Sequence, residues 1–463
     1  MALLPIEKMS GAKALPIKFF LTPDMMPDDE TIAQLESLAK ASGLKYHVAV
    51  LPDIHRKSRN LSPTGTVVAA KNAIVPRAVD TGINCGMRII RSEIPVGDLS
   101  ASVFDELFGE LMRAIPVLEH EHDAISKQDV ADILMQGGKW SQRRYGLSDE
   151  EMNCIENRGT MPTDMADAET ILESMPDKSI KKARRCFGTL GGGNHFLELQ
   201  EIVEVLDRVL ADRLGLFKGN AAFMLHTGSR SVGSKMMKAY LEEFEEKLPA
   251  ALESGSHLWS LAADSLDGMR YARAISAASN FGFANRIAIT EKLREAVRKV
   301  LHDESLPLPL VYDCAHVSIK QEHWNGEKLW VHRHGASRGL PASRFPEHPI
   351  FSKTGQPVPI PGSMGHDSFI GVAAEKAIET FCSVNHGAGR VMDKPEALAS
   401  FTAEQVKQEM REKKIRLYHY DSDNIAEQAP SSFKNISQVI GAMSALGLAK
   451  PVVRLRPVAV LKG

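Results

Sequence analysis

The sequence is poor in the features that mark secreted, membrane-spanning or strongly basic proteins. Its 463 residues include only five cysteines, and none of them forms a Cys-x-x-Cys pair. This usage argues against a disulfide framework and favours a reducing compartment, so we expect a cytoplasmic protein. No run of about 18 apolar residues occurs, and Pro5, Glu7 and Lys8 interrupt the apolar N-terminus. We therefore expect neither a membrane span nor a signal peptide.

A dominant charge, internal repeats and low-complexity tracts are also missing. The formal net charge is −2, so a binding site for a polyanion would have to be a local patch. Hydrophobic residues make up 43% of the chain and charged residues 25%, as in ordinary globular proteins. The sequence has no Walker A loop and no G-x-G-x-x-G between a strand and a helix, which excludes two common nucleotide-binding motifs.

The apolar spacing predicts several scaffold helices. Residues 31–43 and 287–301 carry apolar side chains at helical spacing, and Gly43 is a stop signal for the first of these helices. A T-x-x-Q capping box predicts that another helix begins at Thr402. The proline-rich segment 339–361 is expected to be a long loop. Strands and helices do not alternate regularly, so we expect an α+β fold of mixed sheets and surface helices, in a single domain over residues 1–463.

Four short runs with strand character end in residues that bind metals or carry protons. They are "YHVAVLPDIH", ending at Asp53 and His55; "AAFMLHTGSR", with His226; "LPLVYDCAH", with Cys314 and His316; and "KLWVHRHGAS", with His332 and His334. Strand ends are rigid positions for ligands. These ends therefore indicate where a site is built.

Glycine-rich segments add further candidates. Their chemistry-bearing residues are Cys85 in "AVDTGINCGMRII"; Asn194, His195 and Glu198 after Gly191–Gly193 in "GTLGGGNHFLEL"; Ser229 and Arg230 in "HTGSRSVG"; Ser363 and Ser368 in "IPGSMGHDSF"; and His386 to Arg390 in "SVNHGAGRVMD". Read alone, Cys85 is more commonly an inert buried residue, and the segment with Gly191–Gly193 is equally well an ordinary turn. The segment "HTGSRSVG" is equally well a histidine with its hydrogen bonds satisfied beside a surface arginine, and the bland alternative for His386 is a helix-capping or core histidine. Together, one thiol and several imidazoles favour a borderline metal such as Mn, Fe, Co or Zn over Mg.

In this order, "LGGGNHFLEL", "HTGSR", "PGSMG", "HGAGRVM" and the closing "RLRPVAVLKG" resemble the RtcB-type RNA-splicing ligase family. The similarity runs from about Val50 to the C-terminus, with apparent surface insertions near residues 140–185 and 245–275. It implies a GTP- and manganese-dependent ligase that joins RNA 3'-phosphate or 2',3'-cyclic phosphate ends to 5'-hydroxyl ends, in tRNA splicing or RNA repair. No membrane partner is implied, and the sequence does not identify an activating protein.

The resemblance also implies a role for each matching residue. His386 would take GMP from GTP through a histidine–phosphorus bond. The remaining roles are metal binding by Cys85, His195, His226 and His316; guanylate binding by Asn194, His195, Glu198, Ser363, Ser368, Gly387, Ala388, Gly389 and Lys462; and binding of the RNA terminal phosphate by Arg230 and Arg390. Cys85 would bridge two manganese ions.

The sequence departs from the family pattern at several of these positions. The family's metal-binding aspartate three residues before the cysteine is Gly82 here, so the second manganese site lacks a ligand unless Asp80 or Asp53 supplies one. The segment after His55 is basic, with Arg56, Lys57 and Arg59. Further departures are Phe433 at the guanine-stacking tyrosine, Gln428 before Ala429-Pro430, Asp393-Lys394 for Ser-Arg, and His334 for a lysine. These changes indicate a divergent paralogue.

Two alternatives to RNA ligation stay open at this point. One keeps guanylylation of His386 but uses another acceptor, either another RNA or a DNA 3'-phosphate that is capped. The other is a catalytically weak protein that binds RNA ends and has lost one metal through Gly82.

Overall fold

The computed structural model describes residues 4–9, 14–57, 60–175, 177–247, 258–420 and 424–463. Within these residues, no helix is both long and apolar enough to cross a membrane. Helices and largely antiparallel sheets occur together, and the predicted α+β class is confirmed.

The described strands form two large sheets and two small ribbons. They are β1 Ile6–Lys8, β2 Ile17–Phe19, β3 Leu44–His55, β4 Thr64–Ala70, β5 Ala73–Ile74, β6 Gly86–Pro95, β7 Phe196–Val205, β8 Asn220–Thr227, β9 Leu261–Ala262, β10 Leu310–Ala315, β11 Val317–Trp324, β12 Glu327–His334, β13 Ala336–Arg338, β14 Pro357–Ile360, β15 Ser368–Ala373, β16 Ser383–Asn385, β17 Arg416–His419 and β18 Ala449–Lys462. The six-stranded sheet has the order β1-β2-β3-β4-β12-β11. The eight-stranded sheet has the order β10-β6-β8-β7-β18-β15-β14, with β17 paired to β18.

Helices cover both large sheets. The α-helices are Asp29–Leu38, Ala101–Ala114, Lys127–Gln136, Gly138–Tyr145, Asp149–Asn153, Met165–Ser174, Asp177–Cys186, Arg208–Leu214, Arg230–Lys247, Leu266–Leu301, Phe351–Thr354, Lys394–Ser400, Ala403–Glu412 and Ile436–Ala445. The 3-10 helices are Pro23–Met25, Pro76–Ala78, Val96–Asp98, Glu156–Gly159, Ala342–Arg344, Glu375–Thr380, Asn424–Gln428 and Pro430–Ser432.

Both large sheets are buried on their two faces. The eight-stranded sheet packs the long helix Leu266–Leu301 and helix Ala101–Ala114 on one face, and helix Arg208–Leu214 on the other. The six-stranded sheet packs helix Ile436–Ala445 on one face and helix Asp29–Leu38 on the other. Burial of apolar side chains on both faces makes the sheets rigid supports, so function is confined to their edges and connecting loops.

The predicted helices are present with shifted bounds. The helix expected over residues 31–43 is Asp29–Leu38, because the Asp28 carboxylate accepts a hydrogen bond from the Thr31 amide and starts the helix earlier. The helix expected over residues 287–301 is the last part of Leu266–Leu301. The capping box at Thr402 is confirmed, with both reciprocal hydrogen bonds to Gln405.

The prediction of one long loop over residues 339–361 is wrong. This segment contains the helix Phe351–Thr354 and the strand β14, Pro357–Ile360. Prolines have no amide donor and are usually excluded from strands inside a sheet. β14 is an edge strand that pairs with β15 alone, so a proline amide on its unpaired side would have no hydrogen bond to make.

The two segments predicted as insertions take different forms. Residues 140–185 are largely helical, and Trp140, Ile171 and Ile180 are buried in a core shared with the long helix Leu266–Leu301. In the segment 245–275, residues 248–257 lie outside the described part of the chain. That these segments are insertions relative to the family stays a prediction.

Candidate active site

Neighbouring strands of the eight-stranded sheet bring four predicted site residues to one edge. Because β10, β6, β8 and β7 are successively antiparallel, the end of one strand lies beside the start of the next. Cys85 precedes β6, His226 is near the end of β8, His195 precedes β7, and His316 follows β10. We call the part of this edge formed by Cys85, His195 and His226 the cysteine edge.

The loop before β6 is fixed by the long helix. Asn84 has a positive φ of 58°, and its side-chain amide donates to the Ser279 carbonyl at 2.6 Å. The buried Arg286 guanidinium donates to the Asn84 carbonyl at 2.7 Å and to its side-chain oxygen at 2.9 Å. Arg286 is in turn paired with the buried Asp313. Asn84 is therefore held in place by buried hydrogen bonds, and these bonds fix the position of the adjacent Cys85.

Sulfur and nitrogen atoms converge at the cysteine edge. Cys85 Sγ lies 3.4 Å from His195 Nε2 and 3.2 Å from His226 Nε2. His226 Nδ1 donates to the Asn194 carbonyl at 3.0 Å, which leaves its Nε2 lone pair directed at the cluster. His316 Nε2 lies 3.2 Å from His226 Nε2 on the other side. Among the described residues, only Cys85, His195 and His226 form a group of metal donors within 4.8 Å of one another.

Burial sets the charge state of these donors. Burial lowers the pKa of His226 to about 3, and it takes the pKa of His195 and of His316 well below 6.5. Burial also raises the pKa of the Cys85 thiol to about 11, although the charges of Arg286 and Lys57 act in the opposite direction. Neutral imidazoles are the form that binds metals, and a bound cation would displace the thiol proton. The donor set fits a borderline divalent metal.

His386 is fixed by a carboxylate from the other sheet. It follows β16, and its ring Nδ1 donates to Asp53 Oδ2 at 2.7 Å, while its backbone amide donates to the same oxygen at 3.0 Å. The His386 ring centroid lies 4.7 Å from that of His316, so the histidine stands next to the cluster. With Nδ1 held as a donor, Nε2 carries the free lone pair.

The glycines after His386 serve close packing. Gly389 has a positive φ of 75°, and a side chain there would collide with the Asp53 backbone. Gly387 lies against the Pro361 carbonyl, and the Ala388 amide donates to that carbonyl at 3.0 Å. The observed contacts show that the glycines let the loop approach Asp53 and Pro361.

The residues predicted to bind guanylate line the same sheet edge. Lys462, near the end of β18, is the register partner of Phe196, and Val460 is the partner of Glu198. Burial raises the pKa of Glu198 and lowers that of Lys462, and the charge of each acts against the shift of the other. Gln200 donates to Glu198 at 2.5 Å and to Ser368 Oγ at 3.1 Å.

The second predicted serine lies in the neighbouring turn. Ser363 Oγ lies 2.9 Å from His366 Nδ1 and accepts from the Gly365 amide at 3.3 Å. Ser368 Oγ accepts from the Gly362 amide at 3.3 Å, so both hydroxyls brace the "PGSMG" turn. The structure thus ties Ser368 to Glu198 through Gln200, whereas it places Ser363 with His366.

The two predicted phosphate-binding arginines are held by neutral groups. Arg230 begins a helix with a positive φ of 56°, and its guanidinium donates to Thr189 Oγ1 at 3.0 Å and to the Val117 carbonyl at 2.8 Å. Arg390 donates to the Glu427 carbonyl at 2.7 Å and stacks 4.6 Å from the Phe433 ring centroid. Guanidinium groups that are oriented but not neutralised are suited to phosphate.

Neither aspartate considered as a substitute at Gly82 joins the cysteine edge. Asp53 is bonded to His386, and Asp80 Oδ2 lies 3.1 Å from Lys57 Nζ. Burial acts to raise the pKa of Asp80, but the charges of Lys57 and His334 outweigh it and lower the pKa. The end of the six-stranded sheet with Asp53, together with the adjacent Lys57–Asp80 pair, is called the aspartate edge below.

The basic segment after His55 is partly neutralised by the protein itself. Arg56 pairs with Glu30 at 2.8 Å, and Lys57 pairs with Asp80. Arg59 lies outside the described residues. His334, at the end of β12, contacts Asn60 Nδ2 at 3.3 Å.

Sequence reasoning missed several functional candidates. Gln200 stands two residues after Glu198 on the same strand face, so the alternation of side chains along β7 was an available signal. The pairing of Asp53 with His386 and the support of Asn84 by Arg286 had no such signal, because the partners are far apart in the chain.

Comparison with known proteins identifies the family of the chain. The family model described as "tRNA-splicing ligase RtcB" matches residues 34–463. A tRNA-splicing ligase RtcB of Nanoarchaeum equitans is 31% identical over 467 residues, which cover 98% of this chain and 96% of the relative. A tRNA-splicing ligase RtcB of Pyrobaculum aerophilum is 33% identical over 460 residues, covering 95% of this chain and 92% of the relative. The chain therefore belongs to the RtcB family of tRNA-splicing ligases.

Proposed function

We propose that this protein is an RNA ligase of tRNA splicing or RNA repair that uses GTP and manganese and joins 3'-phosphate ends to 5'-hydroxyl ends. The observation that carries the proposal is the 2.7 Å hydrogen bond between His386 Nδ1 and Asp53, beside a cluster of sulfur and nitrogen donors. It leaves Nε2 of His386 as a free nucleophile. Family membership supports the choice of RNA as the substrate class.

Residues of both edges carry out guanylylation of His386. Nε2 attacks the α-phosphorus of GTP, a P–N bond forms, and the bond to the pyrophosphate oxygen breaks. The Nδ1 proton stays on the ring, where the Asp53 carboxylate stabilises the positive charge that develops. Manganese held by Cys85, His195 and His226 would supply positive charge to the phosphate oxygens.

The guanylate then moves to the RNA. An oxygen of the RNA 3'-phosphate attacks the phosphorus, the P–N bond breaks, and its electron pair returns to Nε2. The 5'-hydroxyl oxygen next attacks the 3'-phosphorus, its proton passes to solvent, and GMP leaves. A 2',3'-cyclic phosphate would first be opened by water. Arg230 and Arg390 offer oriented guanidinium groups for the phosphate charge in these steps.

Recognition of the guanylate would use the buried pair of charges on β7 and β18. Glu198 and Lys462 lie on neighbouring strands at the same sheet edge, and Gln200, which also donates to Ser368 Oγ, holds the Glu198 carboxylate. A carboxylate accepts hydrogen bonds from the amino and ring N–H groups of guanine, which an adenine base cannot provide in the same pattern. The nucleotide of choice is therefore GTP.

A labelling assay tests the proposal. Wild-type protein incubated with manganese and GTP labelled in the α-phosphate should retain label after denaturation, His386→Ala should retain none, and the exposed His323→Ala should behave as wild type. The labelled protein should seal a 3'-phosphate/5'-hydroxyl RNA pair and leave a 3'-hydroxyl/5'-phosphate pair unsealed.

Two other outcomes would replace the proposal. Labelling without RNA sealing, but with transfer of GMP to a DNA 3'-phosphate, would indicate the different-acceptor enzyme. No labelling in the presence of RNA binding would indicate an end-binding protein. Cys85→Ala should lose bound manganese together with labelling, and retention of both would contradict the assigned metal site.

A further inference from the structure

The donor cluster is asymmetric. The donor atoms of Cys85, His195 and His226 all lie within 4.8 Å of one another, whereas His316 lies outside this group and its Nε2 approaches the His226 Nε2 at 3.2 Å. The His316 amide donates to the Cys85 carbonyl at 2.8 Å, so His316 is fixed next to Cys85 by the backbone. On the second side of the cluster, that of His316, the described residues place no further metal donors together with it in one group.

The space from which a carboxylate would reach this side is open. Gly82 lies three residues before Cys85, and a Cβ added there would meet nothing within 4 Å. The nearby Asp80 forms an ion pair with Lys57, whose Nζ lies 3.1 Å from Asp80 Oδ2. The second side therefore has an ion pair where a metal would need free carboxylate oxygens.

Contacts around the ion pair connect it to the nucleophile. Asn60 hydrogen-bonds the Asp80 carboxylate, and its Nδ2 lies 3.3 Å from His334 Nε2. Gly335, the next residue, packs against the His386 ring. Although burial is the main cause of the shifted pKa values of Cys85 and His316, the Lys57 charge acts on both of them. About 42% of the Lys57 side chain is exposed, so its ammonium is accessible to a ligand.

We propose that the cysteine edge binds a single divalent cation and that the Lys57 ammonium, held by Asp80, supplies the second positive charge at this site. The inference rests on the proposed function and specifies how this chain stabilises the phosphate. A lysine ammonium is a compact charge with three donors, so Lys57 can keep its one contact with Asp80 and still donate to phosphate oxygens. The Lys57 ammonium is part of the protein and, unlike a metal ion, does not have to be bound from solution. Activity should therefore depend on the binding of one metal ion only.

Counting metal ions tests the inference without reference to activity. Equilibrium dialysis against manganese followed by elemental analysis should give one ion per chain for the wild type. The Gly82→Asp/Lys57→Met double variant frees Asp80, adds a second carboxylate in open space, and should bind two. Two ions on the wild type, or one on the double variant, would overturn the inference. Arg56→Met is the matched control, because Arg56 has the same 42% exposure and pairs with Glu30 instead.

The rate of His386 guanylylation provides the second readout. Lys57→Met should slow labelling on the order of 100-fold, as for loss of a preorganised charge at a developing oxyanion. Arg56→Met should label at the wild-type rate. Equal rates for Lys57→Met and wild type would contradict the inference, provided that both variants keep the wild-type circular dichroism spectrum. If wild-type protein takes no label, the proposed function fails, and the metal counts alone decide the inference.

Discussion

The cysteine edge and the aspartate edge fix their key groups by opposite means. At the cysteine edge, sulfur and nitrogen atoms meet without a carboxylate in the group, and their lone pairs face one another. At the aspartate edge, two basic groups are bonded to carboxylates, His386 to Asp53 and Lys57 to Asp80. The first arrangement leaves electron pairs free for a cation. The second holds protons and positive charge in place, which suits a nucleophile and a phosphate.

The edges also differ in how the chain assembles them. The donors of the cysteine edge come from adjacent strands of one sheet, so pairing of β6, β7 and β8 brings them together. The His386–Asp53 contact joins residues 333 positions apart and brings the loop after β16 of the small β13-β16 ribbon to β3 of the six-stranded sheet. Metal binding and nucleophile activation should therefore be separable by mutation.

The largest effect is expected for Asp53→Asn. An amide cannot stabilise the charged ring and also favours the wrong tautomer of His386, so guanylylation should fall roughly 10³- to 10⁴-fold. Bound manganese should stay at the wild-type level, because the cysteine edge is untouched. Quench-flow labelling and elemental analysis give the two numbers, with the exposed Asp105→Asn as control. Loss of the metal together with the rate would show that the edges are not separable.

An intermediate effect is expected for Arg286→Met, which breaks the support of the cysteine edge. Removal of Arg286 from this buried charge network leaves Asp313 with Arg88 as a remaining partner and takes a donor from the Asn84 carbonyl, which should lower the free energy of unfolding by roughly 3–5 kcal/mol. Urea unfolding monitored by circular dichroism measures this change. Arg270→Met, in an exposed ion pair on the same helix, should cost less than about 1 kcal/mol. Similar losses for both variants would argue against a special role of Arg286.

A smaller effect, a loss of stability when the pH is lowered, is expected from a buried histidine of the six-stranded sheet. Buried His332 donates from Nδ1 to the Trp330 carbonyl at 3.0 Å and accepts at Nε2 from the Val75 amide at 2.9 Å, so only the neutral ring satisfies both bonds. Burial lowers its pKa from 6.5 to about 4. Between these two pKa values the unfolded chain binds more protons than the folded chain. The free energy of unfolding therefore decreases as the pH falls from about 6.5 towards 4.

The magnitude is measurable with one variant. Between pH 7 and pH 5, this histidine should account for about 2 kcal/mol of lost unfolding free energy. His332→Gln should remove that share of the pH dependence, whereas His323→Gln, at an exposed position, should keep it. An unchanged pH dependence in His332→Gln would show that other groups control acid stability.

Sequence patterns identified much of the cysteine edge but little of the aspartate edge. Strand-like runs that end in histidines pointed to His226 and His316, because strand ends are local features. The partner of His386 was not predictable, since no local pattern links Asp53 to a residue so distant in the chain. The close packing of Gly389 against the Asp53 backbone was not predictable for the same reason. β14 was missed because prolines conceal an edge strand.

The most direct test of the account is to locate the guanylate on the protein by tandem mass spectrometry of peptides from protein treated with GTP and manganese. One acid-labile GMP group is expected on His386 of the wild type, and none is expected in His386→Ala. GMP on a lysine such as Lys462, or on another histidine, would contradict it.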